Sequence, residues 1–174
     1  MSDESPSPSE RSTPESEAGQ QPQQPPLLIN GQYVKDLSFE APNTPQIFSA
    51  MQGEAPQIQV DIDVQADQKQ QGIFEVVLKV RAEARGKEQL AYLLEVEYAG
   101  IFTLNVPPEH LGPIVLIECP MILFPFLRRI VADITGDGGF APLMLSPIDF
   151  AQLYQQRVQA AQAAQAAQAQ HAEA

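Results

Sequence analysis

The sequence predicts an α+β fold, in which a four-stranded antiparallel sheet is followed by two C-terminal helices packed on one of its faces. Three observations lead to this prediction. Four stretches between residues 33 and 98 alternate apolar and polar side chains with the period of two that is typical of half-buried strands. The connections between the last three of these stretches are short and polar, which indicates an antiparallel meander. In the second half of the chain the apolar residues recur with the spacing of helices.

The first predicted strand lies between the turn signal Asn30-Gly31 and Pro42. Strict alternation divides its side chains into two faces. One face would carry Tyr33, Lys35, Leu37 and Phe39, and the other would carry Val34, Asp36, Ser38 and Glu40.

The other three strands are also divided into an apolar and a polar face. They are predicted at residues 58–64, 74–83 and 90–98, with a turn at 66–72. In the last strand the inward face would carry Leu90, Tyr92, Leu94, Val96 and Tyr98, and the outward face Ala91, Leu93, Glu95 and Glu97. The sheet should therefore have one face rich in carboxylates.

The two helices are predicted from proline and glycine positions. Pro125 disfavours helix at Phe124 but suits a first helical turn, so the first helix should begin near Pro125 and end at Gly136. Residues 106–124 would then form a long crossover interrupted by prolines. Ser146 is a good N-cap for the second helix, with Asp149 three residues further on.

Composition divides the chain into three parts. Residues 1–26 are rich in Pro, Ser and acidic residues, and we expect them to be disordered. Residues 158–174 are almost entirely Ala and Gln, without an apolar stripe, which predicts a flexible helical tail. Residues 27–157 hold the large apolar residues of a single domain. The acidic, Pro-rich start is unlike a secretory signal, so we expect a cytoplasmic protein.

Charge and residue inventory exclude several classes of function. The formal net charge of −12 argues against nucleic acid as a partner and favours a basic protein. Only His110 and His171 are available as histidines, Cys119 is the only cysteine, and no cluster has metal-ligand spacing. The longest apolar run, at 111–127, is broken by three prolines and a glutamate, which argues against membrane insertion. We expect no enzyme, cofactor or metal.

Two features remain open on the residues alone. The carboxylates of the first and fourth strands are either a solvated sheet face or a surface for a basic partner. The apolar side chains between Ile114 and Phe126 are either an interface between subunits or also a binding surface for a ligand, because a domain of this size has limited interior.

Several stretches of the sequence, in order along the chain, resemble the SecB family of bacterial protein-export chaperones. They are residues 33–43 (YVKDLSFEAPN), 100–102 (GIF), 119–125 (CPMILFP) with Arg128, and 140–150 (FAPLMLSPIDF). The resemblance implies a homotetramer, a dimer of dimers, with the first long helix between the sheets of the paired dimers. It also implies binding of unfolded preproteins in long apolar grooves and their transfer to the SecA motor ATPase.

The resemblance also assigns roles to individual positions. SecA binding falls on Asp36, Glu40, Leu93 and Glu95, on the carboxylate-rich face. Control of tetramer packing falls on Leu94, Val96 and Tyr98, on the opposite face. The client-binding groove would be lined by Ile122, Leu123, Phe124, Phe126, Leu143 and Leu153.

The sequence therefore predicts an ATP-independent chaperone that keeps preproteins competent for translocation and delivers them to SecA. The alternative is a non-catalytic oligomeric adaptor, whose apolar residues are consumed by subunit contacts and whose acidic face binds a basic protein.

Overall fold

The computed structural model describes residues 25–172, with side chains up to residue 164. Most of the acidic segment 1–26, whose disorder was predicted, lies outside the described residues. One antiparallel sheet is formed by β1 (Leu27–Glu40), β2 (Gln57–Gln70), β3 (Ile73–Gly86) and β4 (Gln89–Leu104). The strands are hydrogen-bonded in the order β1-β4-β3-β2. The predicted α+β class and antiparallel sheet are confirmed, although β2 continues through part of the predicted turn.

The helix predicted to start near Pro125 begins earlier than predicted, and helix also precedes it. A short helix α1 (Gln46–Ala50) connects β1 to β2, and α2 (Pro108–Pro113) is followed by a π-helical stretch (Ile114–Glu118) and then α3 (Cys119–Asp137). The predicted crossover is therefore helical, and Pro125 lies inside α3. An internal proline costs a helix roughly 3 kcal/mol. Burial of Val115, Cys119 and Leu123 offsets this cost, because tertiary packing outweighs local propensity.

The last helix, α4 (Phe150–Ala172), begins a few residues after the predicted cap. The side chain of Asp149, rather than that of Ser146, accepts a hydrogen bond from the main-chain N–H of Gln152 (2.9 Å). Asp149 thus satisfies one of the free N–H groups at the helix start. Further along α4, Arg157 donates hydrogen bonds to Asp63 and to the main-chain oxygen of Val64, which attaches this helix to the edge strand β2.

A bulge in β1 changes which side chains share a face. Val34 pairs with Tyr98 and Asp36 with Glu97, so Lys35 is an extra residue in this strand. Residues 36–40 keep the predicted alternation. Before the bulge the prediction is wrong, because Tyr33 shares the face of Asp36 and Val34 shares the face of Leu37. Pairing with β4, which local alternation does not encode, produces the bulge.

The core lies between one face of the sheet and α3, and we call this face the helix face and the opposite one the outer face. Leu78, Leu94 and Phe102 of the sheet and Leu127 of α3 are fully buried. Gly100 permits close packing at the centre, because a Cβ atom there would lie 2.9 Å from the Leu123 side chain. The edge strands are covered less well. Their partly exposed apolar residues on the helix face are Ile29, Val34, Leu37, Ile58 and Val60.

In the described part of the chain, no helix combines the length and the hydropathy needed to cross a membrane.

Candidate functional site

The outer face of the sheet carries a patch of carboxylates. Strand pairing aligns Asp36, Glu97, Lys79 and Asp63 across the four strands. The next row on this face aligns Ser38, Glu95, Arg81 and Asp61, and the row after it aligns Glu40, Leu93, Glu83 and Gln59. We call the carboxylates of these rows the acidic patch: Asp36, Glu40, Asp61, Asp63, Glu83, Glu95 and Glu97.

All four positions assigned to SecA binding lie within or beside this patch. Glu40 is paired with Leu93, and Asp36 lies two residues before Ser38, which is paired with Glu95. Sequence reasoning did not place Asp61 and Asp63 on the same surface as the SecA-binding positions, although their alternation with apolar residues was visible. The missing information was the strand order, because β2 reaches β4 only through β3. Between these strands the outer face has a depression of about 290 Å³, to which Asp36, Asp61 and Glu95 contribute.

Basic side chains neutralise only part of the acidic patch. Lys79 is paired with Glu97, and Arg81 Nε lies 3.2 Å from Glu95 Oε1. Glu83 accepts from Arg85 (2.7 Å) and Arg81 (3.2 Å), and the Arg85 hydrogen bond is the main cause of its lowered pKa. Within the described side chains, Asp36, Glu40 and Asp61 form no salt bridge. The patch therefore keeps a net negative charge that a basic surface would complement.

A buried ionic cluster lies on the same face, away from the acidic patch. Glu75 of β3 is 4 % exposed and accepts hydrogen bonds from Tyr33, from Lys35 Nζ (2.9 Å) and from Lys69 (2.8 Å). These bonds, led by that from Lys69, lower the pKa of Glu75 to about 2. The cluster joins β1, β2 and β3 across β4. Sequence reasoning missed it because the β1 bulge is what brings Tyr33 to this face.

An apolar groove of about 350 Å³ lies on the helix face, beside α1 and the segment that follows α3. Its walls come from α1 and the residues after it, from β2, from β4 and from the segment after α3. We call it the apolar groove, and its main lining residues are Phe48, Met51, Ile58, Tyr92, Phe140 and Leu143. The volume is at the lower end of the range for ligand sites, about 300–1,000 Å³.

Aromatic rings and one glycine shape this groove. The ring of Phe140 lies 4.9 Å from that of Tyr92 and 5.1 Å from that of Phe48, between centroids. Gly139 has a φ of +86°, and a Cβ atom there would lie 3.0 Å from the Phe48 ring, so a glycine suits this position on both counts. The following segment is held by Thr135, which accepts a hydrogen bond from the main-chain N–H of Leu143 (2.9 Å).

Of the residues assigned to the client groove, Leu143 lines the apolar groove. Leu123 is fully buried against the sheet, and Phe124 packs edge-on against Phe150 with centroids 6.1 Å apart. Phe126 is 45 % exposed and stacks on Tyr98. Ile122 and Leu153 are half-buried. Sequence reasoning missed Phe48, because α1 is too short to show a helical period, and missed Tyr92, which was counted as core.

The positions assigned to tetramer packing lie on the helix face, as predicted. Leu94 and Val96 are already buried within one chain, with at most 1 % exposure. Tyr98 lies under Phe126 and its hydroxyl donates to Gln32 Oε1 (3.3 Å). The apolar side chains that remain free for a second chain are those around them, chiefly Val34, Leu37 and Phe126.

Among the described residues, no group of three or more His, Cys, Asp or Glu side chains could hold a metal ion. Burial raises the pKa of the Cys119 thiol to about 12, so this thiol is a poor nucleophile.

An acidic sheet face and a separate aromatic groove define a protein that binds other polypeptides. Residues 20–161 match the family described as preprotein translocase subunit SecB. The chain is 51 % identical over 137 residues to a protein-export protein SecB of Rhodospirillum rubrum, covering 79 % of this chain and 85 % of that protein. It is 47 % identical over 160 residues to that of Parvibaculum lavamentivorans, covering 91 % and 93 %. This chain belongs to the SecB family of protein-export chaperones.

A solved structure shares the fold at low identity. A SecB-like chaperone of Mycobacterium tuberculosis, in complex with a peptide from an antitoxin, superposes with a TM-score of 0.59 at 18 % identity. The match covers 71 % of this chain and 91 % of that one. It supports the sheet-and-helix architecture described above.

Proposed function

We propose that this chain holds unfolded preproteins in the apolar groove and delivers them to the SecA motor ATPase, which docks on the acidic patch. The observation that carries the proposal is the separation of the two surfaces on opposite faces of one sheet. A motor can approach the outer face while a client occupies the helix face. Binding and transfer then do not compete for the same residues.

The groove suits client binding because its walls are aromatic and aliphatic. Many weak apolar contacts bind extended segments without demanding one sequence. Leu143, Phe48 and Phe140 provide such contacts here. Phe126, exposed on α3, would extend the apolar surface or meet a second chain.

The acidic patch suits a basic partner for an electrostatic reason. An isolated surface pair contributes only about 0–1 kcal/mol, but carboxylates of one sign on one face steer a basic partner and make association sensitive to salt. Leu93 lies half-buried among them and supplies an apolar contact. This arrangement, together with the family, supports the proposal that SecA binds at Asp36, Glu40, Leu93 and Glu95.

The proposed assembly is a homotetramer in the cytoplasm. The partly exposed apolar residues of β1, with Met121 and Phe126 of α3, form a surface that a second chain would cover. An adaptor that uses all of this surface for assembly is the competing proposal. It differs in one measurable respect, because an adaptor would not prevent aggregation of an unfolded preprotein.

The test replaces Asp36, Glu40 and Glu95 together with lysine. We expect the variant to lose SecA binding in calorimetry and to suppress aggregation of a slow-folding preprotein, without nucleotide, as well as the parent does. The control makes the same charge change at the exposed residues Glu109, Glu118 and Asp137, outside the patch. Equal SecA binding by parent and patch variant would contradict the docking proposal. A parent that does not suppress aggregation would favour the adaptor.

A further inference from the structure

The hydroxyl of Tyr92 is an unsatisfied polar group in the wall of the apolar groove. Tyr92 lies on the helix face of β4 and is 1 % exposed, and it contributes to the groove wall. Its hydroxyl oxygen is buried and has no hydrogen-bond partner among the described residues. Leaving such a group unpaired costs about 1–3 kcal/mol, and folded proteins keep few of them. The hydroxyl therefore calls for a functional explanation.

Packing alone does not account for a tyrosine at this position. The neighbouring rings are those of Phe39 and Phe140, with centroids 5.7 and 4.9 Å from that of Tyr92. A phenylalanine would make the same ring contacts without burying an oxygen. The nearby wall residues Ile58, Pro142 and Leu143 have no side-chain acceptor. None of the described residues supplies a partner for the hydroxyl.

We propose that the Tyr92 hydroxyl donates a hydrogen bond to a main-chain carbonyl of an extended client segment whose apolar side chain fills the groove. This inference rests on the proposed function, which describes only apolar contacts between the groove and the client. It adds one polar contact to them. Burial raises the pKa of Tyr92, which keeps the hydroxyl protonated as a donor. A client carboxylate is a poor occupant, because the groove would have to remove its water. A main-chain carbonyl is present at every residue, so this contact does not restrict client sequence.

The occupant must open the groove to reach this hydroxyl. Phe48 is 39 % exposed and packs against Phe140, and Met51, just after α1, is half-buried. These two side chains belong to a helix of five residues and its end, which is held chiefly by the buried Ile47. A client side chain that displaces one of them would bring its own main chain close to Tyr92.

The test is Tyr92→Phe in the full chain, with Tyr154→Phe as the control because Tyr154 lies on α4 outside the groove. The first probe is a fluorescent synthetic peptide rich in Leu and Phe. The second is diphenylhexatriene, a hydrocarbon without any acceptor. We expect Tyr92→Phe to weaken peptide binding by about three- to tenfold, since one hydrogen bond is lost. Hydrocarbon binding should not weaken, and the melting temperature should be unchanged or higher.

The combination of these readouts distinguishes the hydrogen bond from a structural role. A purely structural hydroxyl would lower the melting temperature and leave peptide affinity unchanged, and that result overturns the inference. Equal losses for peptide and hydrocarbon would also overturn it, because the groove shape would then be the cause. If the parent itself binds neither probe, the apolar groove is not the client site. That result contradicts the proposed function, and the inference about Tyr92 falls with it.

Discussion

Arg81 Nε lies 3.2 Å from Glu95 Oε1, so a carboxylate assigned to SecA binding already has a partner within its own chain. The two side chains are 44 % and 49 % exposed, and Arg81 also contacts Glu83 at 3.2 Å. An incoming basic group must therefore compete with Arg81 for Glu95. The neighbouring carboxylates Asp36 and Glu40 present no such competition from the described residues.

Removing this competitor should strengthen SecA binding. Arg81→Gln frees Glu95 and makes the acidic patch more negative, and a surface ion pair of about 0–1 kcal/mol corresponds to at most about a fivefold gain in affinity. The gain should shrink at high salt, because exposed charges are screened. Calorimetry at low and high salt measures both effects. Arg129→Gln removes a salt bridge to Asp133 on α3 and serves as the control. Equal affinity in both variants would contradict the competition.

The buried cluster around Glu75 should make stability depend on pH. The folded-state pKa of Glu75, about 2, is below its ordinary value of 4.5, so its contribution is present above pH 4.5 and is lost as pH falls towards 2. Glu75→Gln should lower the free energy of unfolding at neutral pH by about 1–3 kcal/mol. The difference from the parent should narrow in acid. Glu97→Gln, at a more exposed pair, should have the smaller effect in urea titrations. A difference that is constant with pH would show that packing, not charge, is the cause.

Assembly and folding should be separable on the helix face. Val96→Asp places a charge at a position with 1 % exposure inside one chain, which costs several kcal/mol and should unfold the subunit rather than release a folded dimer. Val34→Asp, at 46 % exposure, should leave the subunit folded and lower the mass of the proposed tetramer. Circular dichroism and light scattering distinguish the outcomes. A folded dimer from Val96→Asp would contradict the burial argument.

Substitutions in the turn between β3 and β4 should stabilise the protein. Lys87 and Glu88 both have positive φ, of 48° and 67°, a region that costs residues other than glycine roughly 1–2 kcal/mol each. Two-residue hairpin turns with this conformation favour Asn-Gly. Lys87→Asn combined with Glu88→Gly should raise the free energy of unfolding by about 1 kcal/mol, as measured in urea. The φ of Gln89 is not positive, so Gln89→Gly should lower the free energy of unfolding. A loss of stability in the double variant would show that the turn is not strained.

The sequence by itself determined the features that depend on near neighbours along the chain. Period-two alternation placed Asp36, Glu40 and Glu95 on one sheet face and Leu94 and Val96 on the other, and pairing confirms both assignments. The four stretches at residues 33–43, 100–102, 119–128 and 140–150 together identified the family, which is confirmed. Alternation is visible in the sequence because the local geometry of a strand points successive side chains to opposite faces.

Only the tertiary structure decided the features that depend on which elements meet. The bulge at Lys35 reversed the predicted face of Tyr33 and brought it to Glu75. The helix continued through Pro125 because burial of its apolar side chains outweighed the local cost. The groove at Tyr92 joins residues far apart in the chain, from α1, β2, β4 and the segment after α3. Pairing and packing between distant segments leave no periodic signal in any one of them, so these features became visible only in the folded chain.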